Sequence, residues 1–379
     1  EVIKAAVENG ALAQNYMKAE QFIYENGKVC GIETIDQLTG ERFKIRGKAV
    51  INATGPWVDY LRNKDESKTG KVLRLTKGIH IVIDGKKFPL KQAVYFDAQD
   101  GRMIFAIPRN GKTYVGTTDT FYDLDPANPK MTVRDRDYLL QAIAYMFPGL
   151  NIVKDDVESS WAGLRPLIWE EGKNPSEISR KDEIWESDSG LLTIAGGKLT
   201  GYRKMAESIV NLAAKKLEKE HGKTFLPCRT KTFPISGGNV GGSANFSLFV
   251  KEMARKGSMA AGLTEEDAGQ IAEQYGSNAE MIFQIIRDGR EKAEKYGLPP
   301  LLYGKLVYAV DHEMAVAPAD FFNRRTGMLL FNIHDVKKYK EKVIRFMCDE
   351  NSFSEKITNK FAKELDEAIE QAQTAFPEE

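Results

Sequence analysis

A chain of 379 residues is long enough for two or three domains, and 42% hydrophobic with 28% charged residues is ordinary globular composition. Lys plus Arg and Asp plus Glu both total 54, so no net field draws the chain toward nucleic acid or an anionic surface, and an anionic ligand has to be caught locally. Cys30, Cys228 and Cys348 stand far apart, form no CxxC and leave an odd one over, which points to reduced thiols in a cytosolic setting; no apolar run approaches the roughly 18 residues of a membrane span.

The opening "EVIKAAVENGA" has helical spacing with neither an initiator Met nor a cap, and no signal peptide is recognisable, so it reads as the middle of a helix. From there to about Thr76 the pattern is helix, strand, then a β-meander. "VCGIETIDQLTGERFKIRGKAVINATG" alternates on either side of "LTG" as a hairpin does, and closes on the apolar run Ala49 to Ala53. From Thr76 to about Trp185 short strand patterns dominate: "GIHIVI", "AVYFDA", "RMIFAIP", "TYVGTTD" and "VESSWAGLRPL". One helix interrupts them, "TVRDRDYLLQAIAYMF", stopped by Pro148-Gly149. "GLLTIAGGKLTGYRKMAESIVNLAAKKL" then returns to strand, glycine turn and helix. After the Gly/Pro/Ser-rich "PCRTKTFPISGGNVGGS" the chain turns helical, with Thr264 and Asp267 at capping spacing and Gly276 as a stop.

Several chemistries drop out. No GxGxxG occurs, "GGKLT" lacks the spacing of a phosphate-binding P-loop, and "HEMAV" lacks the second histidine of a zinc protease helix. His80, His221, His312 and His334 share no ligand spacing with the cysteines, so no metal site is expected. Two glycine turns remain, each at the end of an apolar strand: "AVINATGPW" and "LLTIAGGKLTGYR". Ligands of open α/β sheets gather at such strand ends, where a following helix offers free N–H groups. Both turns could face one large cofactor, or each glycine could simply relieve a tight turn.

Taken together, "INATGPWVD", "KGIHIVI", "VGTTDT", "WAGLRPL", "ISRKDEIWE" and "IAGGKLTGYRKMAE" resemble, in order and spacing, the FAD-dependent sn-glycerol-3-phosphate dehydrogenases of respiratory type and their glycerophosphate oxidase relatives. The resemblance covers essentially the whole chain, and "DHEMAVAPADFFNRRTGMLLF" looks like the family's C-terminal domain. It implies an α/β plus α fold: a partial, glutathione-reductase-like FAD-binding domain built from residues 1–75 and 186–228, a mainly antiparallel substrate domain at 76–185, and an all-helical domain at 235–379. It implies FAD as cofactor and oxidation of glycerol 3-phosphate to dihydroxyacetone phosphate. Electrons would pass to a quinone, in a cytoplasmic homodimer with peripheral contact at the inner face of the cell membrane.

That chemistry needs a base for the C2 hydroxyl, cations for the phosphate and donors around the flavin. His80 is the proton-handling candidate, since an ordinary imidazole titrates near 6.5; a strand histidine satisfied by backbone is the plainer alternative. Arg165, extended before Pro166 and expected at a strand end, can fork onto phosphate or serve the catalytic centre, or else form a surface ion pair. By resemblance, Arg180 lines the same pocket and Lys198 reaches substrate or flavin. The cofactor-binding set is Ala53, Thr54, Gly55, Gly196, Gly197, Lys198, Leu199 and Thr200, with Gly196 and Gly197 admitting the ring. The resemblance also implies a Gly-rich pyrophosphate-binding turn, an acidic ribose partner and an Arg-Tyr pair, and none of these occurs in the sequence. The chain is therefore expected to be a truncated form that holds FAD poorly. The alternatives are an oxidase using oxygen, a non-catalytic helical fragment, and a relative acting on another hydroxy acid or amine.

Overall fold

The computed structural model describes residues 1–170, 181–196 and 198–378. Helix α1 (Val2–Glu8) leads into an antiparallel meander of β1 (Met17–Glu25), β2 (Lys28–Asp36) and β3 (Arg42–Arg46). The β2–β3 turn forms where the sequence places it: the Asp36 carboxylate accepts the Leu38 N–H at 2.7 Å, and Gly40 takes a positive φ of 79°. Strand β4 (Ile51–Asn52) follows, then a 3-10 turn at Gly55–Trp57 and α2 (Val58–Lys64).

The second sheet carries the strand-rich middle of the chain. It contains β5 (Lys71–Asp84), β6 (Val94–Asp97), β7 (Met103–Arg109), β8 (Lys112–Gly116), β9 (Thr120–Phe121) and β10 (Val157–Glu170), in the order β10-β5-β8-β7-β6 with β9 pairing β5, and every pairing is antiparallel. The period of two along β5 sorts its side chains. Ile79, Ile81 and Ile83 are buried with Ile104, Ala106 and Val115 beneath α3 (Val133–Met146), which contributes Leu139, Ala142 and Ile143. Gly78, His80 and Val82 point to the other face. A capping box starts α3, with the Asp135 N–H donating to Thr132 Oγ1 at 3.2 Å and the Thr132 N–H to Asp135 Oδ2 at 3.1 Å. Lys77, almost fully buried, adds an ion pair of 2.8 Å to the same carboxylate.

The third sheet joins distant segments. Strand β12 (Leu192–Ala195) lies between β11 (Glu183–Glu186) and β4, antiparallel to the first and parallel to the second, with Leu192 opposite Ile51 and Thr193 opposite Asn52. A 3-10 turn at Leu199–Gly201 then opens α4 (Tyr202–His221), whose Ile209 and Ala213 pack on Leu192 and Ile194. Two expected limits shift. β5 starts at Lys71 and pairs with β10 throughout, so a boundary at 75/76 cuts a continuous strand. Glu183–Glu186 belongs with β12, so the return to that sheet begins before residue 186.

Residues 223–235 form no regular element and are exposed. Beyond them come α5 (Phe246–Ala261), α6 (Glu265–Tyr275), α7 (Ala279–Asp288), α8 (Arg290–Tyr296), α9 (Pro300–Glu313), a π-helical turn at Asp320–Arg325, α10 (Met328–Phe331), α11 (Ile333–Glu350) and α12 (Glu355–Gln373), around two apolar cores. This helical part docks on β10. Ser160 Oγ donates to Ala372 O at 3.0 Å, Gln373 Nε2 to Glu158 O at 3.1 Å, and Ser159 Oγ to Leu330 O.

Candidate active site

The two glycine turns singled out by the sequence meet in space because β4 and β12 run parallel and end side by side. Their ends and one side of β10 enclose a cleft of about 740 Å³, lined by Ala53 and Gly55 from the first turn, Gly196, Lys198 and Leu199 from the second, and Leu164 to Leu167 from β10. Ile194, Tyr202, Met205 and Ile209 complete a largely apolar wall. Leu199, 90% exposed, adds an apolar side chain to this lining.

Arg165 is the cation on the β10 wall. It lies in the interior of β10 rather than at a strand end, with Pro166 tolerated because β10 is an edge strand of its sheet. Its guanidinium donates to Thr117 Oγ1 at 2.9 Å, to Asp119 Oδ1 at 3.2 Å and to Thr118 O at 3.4 Å, so the "GTTDT" loop aims it. The expected alternative of an ion pair is therefore present, but the acid sits on that loop. The guanidinium lies over Gly78, where a Cβ would stand 2.7 Å from Nη2. Glycine there lets the arginine cross the sheet face.

His80 shares that face. In register it stands opposite Trp161 on β10 and Gly116 on β8. Its ring stacks on Trp161 with centroids 4.6 Å apart and planes 9° apart. Nδ1 is buried and has no hydrogen-bond partner among the described residues, so the imidazole is not the backbone-satisfied strand histidine of the plainer reading. Burial, and secondarily the charge of Arg165, lower its pKa to about 4. The expectation of a group titrating near neutrality is corrected accordingly: near pH 7 this imidazole is neutral, because its charged form is desolvated and repelled by a cation.

Of the other candidates, Thr54 does not line the cleft; its Oγ1 donates to Asn52 Oδ1 at 2.7 Å, while Asn52 Nδ2 donates to Val58 O at 3.0 Å, which ties the first turn to α2. Thr200 is exposed on the turn into α4 and likewise does not line the cleft. His80 lies beyond the cleft lining, on the sheet face that Arg165 reaches. Gly196 has its own reason to be glycine: φ is 82°, and a Cβ would sit 2.7 Å from Lys181 O and 2.8 Å from Ile168 Cδ1. At that position the chain itself already excludes a side chain. Arg180 and Gly197 lie outside the described residues. The sequence does not announce Trp161, Thr117 or Asp119 as functional; the only available signal was their place inside "WAGLRPL" and "GTTDT".

Comparison with known proteins identifies the family. Residues 1–203 match the family described as FAD dependent oxidoreductase, and residues 228–358 match the C-terminal domain of alpha-glycerophosphate oxidase. The chain is 55% identical over 372 residues to the aerobic glycerol-3-phosphate dehydrogenase of Bacillus subtilis, covering 98% of this chain and 67% of that protein. It is 56% identical over 374 residues to the enzyme of the same name from Staphylococcus haemolyticus, with the same coverage. Among solved structures, the glycerol-3-phosphate dehydrogenase from Bacillus halodurans complexed with FAD superposes with a TM-score of 0.92 at 51% identity, over 100% of this chain and 73% of the other. The parallel strand ends, the cleft between them and this likeness along nearly the whole chain lead to one assignment: the chain belongs to the aerobic glycerol-3-phosphate dehydrogenase family of FAD-dependent oxidoreductases.

Proposed function

We infer that the chain serves the flavin-dependent oxidation of sn-glycerol 3-phosphate to dihydroxyacetone phosphate, with the electrons passed to a quinone. The observation that carries this reading is the meeting, at one cleft, of both strand-end glycine turns with a loop-braced arginine whose guanidinium reaches the face bearing His80. The residues present fit the flat end of FAD. The cleft wall is apolar, and a Cβ at Gly55 or at Gly163 would meet nothing within 4 Å, so both glycines border open space. Thr76 Oγ1 and His80 Nδ1 are buried on this side of β5 without a partner among the described residues.

When bound, FAD supplies the acceptor for the hydride that leaves C2. The chain supplies the rest. Arg165 and Lys198 present cations to the phosphate or to the substrate oxygens, and only the arginine can do so through two parallel bonds. His80, kept neutral by its surroundings, has a free lone pair for the C2 hydroxyl proton. An anionic substrate beside Arg165 offsets the positive charge that helps depress His80, so substrate binding itself raises the proton affinity of the imidazole. Arg165→Ala tests the assignment in the FAD-loaded enzyme. Binding of glycerol 3-phosphate should weaken by about 2–3 kcal/mol, the scale of a charge-assisted contact, and that of glycerol much less. Equal losses for the two would place the arginine at the reacting carbon instead.

Oxygen as acceptor is a second reading, favoured by the match of residues 228–358 to an oxidase domain. Oxygen consumption on addition of glycerol 3-phosphate without quinone would select it; turnover only with added quinone would select the first.

A further inference from the structure

A catalytic histidine is ordinarily held in plane by a hydrogen bond from one ring nitrogen. Among the described residues, His80 has no such tether at Nδ1. Its ring is confined by shape: on β10 the Trp161 indole lies 4.6 Å away and nearly parallel, and on β8 Gly116 leaves just the space the imidazole fills, since a Cβ there would stand 2.7 Å from His80 Nε2. Trp161 is itself enclosed. Tyr114 lies 5.6 Å from it, and Phe331 of α10 lies 5.7 Å from it, edge to face. Phe331 also meets Tyr114 at 5.9 Å and carries the Arg109 guanidinium 4.6 Å over its outer side. The bond from Ser159 Oγ to Leu330 O holds α10 against β10, two residues from Trp161 along the strand. Among the described residues, the titratable and charged groups facing the imidazole are Arg165 from β10 and Tyr114 from β8.

We propose that Trp161 is a positioning residue that holds the His80 imidazole in its working plane by stacking, and that Phe331, delivered by the helical part of the chain, braces Trp161 from behind. This rests on reading His80 as the proton acceptor. The helical part thereby acts on the reaction without touching substrate. Its role explains why α10, a helix of only four residues, is pinned between β10 and the main helical core. Nothing is transferred through the rings. They act by excluding water from the imidazole and by removing its freedom to tilt, and misplacement of a reacting group by about 1 Å costs up to ~100-fold in rate.

The test uses the FAD-loaded enzyme, rapid mixing with glycerol 3-phosphate to read flavin reduction, and NMR titration of the His80 imidazole. Trp161→Leu should slow reduction roughly tenfold or more with little change in KM, and should move the His80 titration from about 4 toward the ordinary histidine value. Trp161→Phe, which keeps a ring to stack on, should recover most of both. Phe331→Leu should shift both readouts in the same direction by less. A Trp161→Leu enzyme that holds FAD, reduces at the wild-type rate and leaves the imidazole titration unmoved overturns the proposal. If Trp161→Leu does not fold, wild-type values of both readouts in Phe331→Leu overturn it equally. Failure of the underlying reading looks different: His80→Asn would then reduce flavin at the wild-type rate.

Discussion

His80 shows how far surroundings can move one residue. An imidazole whose pKa falls to about 4 on folding binds its proton less well in the folded than in the unfolded chain, whose value is near 6.5. Between those limits the unfolded state holds more protons, so stability falls as pH falls from 6.5 to 4, and no penalty exists above 6.5. The shift corresponds to a loss on the order of 3 kcal/mol at the acid end. Comparing wild type with His80→Asn by chemical denaturation at pH 7 and pH 4 should show the variant losing less stability by about that amount. Parallel losses in the two proteins would mean that His80 is more solvated than its burial indicates. The same variant should keep substrate binding while slowing flavin reduction by about 10²-fold, the usual scale for a general base.

At the scale of elements, the two glycine turns separate by the reason each is glycine. At the end of β12, Gly196 combines a positive φ with backbone crowding from Lys181. Gly196→Ala should cost about 1–3 kcal/mol of stability whether or not FAD is present, since strain and clash both lie within the chain. Gly55, after β4, also has a positive φ of 58° but meets nothing within 4 Å. Gly55→Ala should cost only the left-handed strain of about 1–2 kcal/mol, with its larger effect on flavin content, because the added methyl projects into the cleft. Melting of the apoprotein and flavin absorbance of the loaded protein measure the two effects. A Gly196→Ala apoprotein that melts like wild type would return that glycine to the cofactor.

At the scale of the whole molecule, the exposed segment at 223–235 connects two parts that are also joined through β10, α10 and α12. The C-terminal residues add to that seam: the Phe376 N–H donates to Met131 O at 2.9 Å, and Phe376 O accepts the Val133 N–H at 2.8 Å. Limited proteolysis should therefore cut first within 223–235, where backbone is exposed and free of regular hydrogen bonding, and the two fragments should elute together. Fragments that separate on gel filtration would show the seam to be weak, and would weaken the case for an aromatic brace supplied across it.

The amino-acid order by itself determined what is local. Alternation placed β5, β7 and β10, the Thr132 and Thr264 caps started their helices, and the Gly turns stood at strand ends, because side-chain period, capping and turn chemistry are decided within a few residues. Only the tertiary structure decided that β4 and β12 lie side by side, that Arg165 is aimed by a loop 46 to 48 residues away, and that His80 is neutral between an indole and a glycine. Each of these depends on which strands pair, in what register, and on burial and charge summed over neighbours remote in the chain. Such sums have no signature in any short stretch of sequence, which is why the candidate residues could be named from the chain while the state in which they work could not.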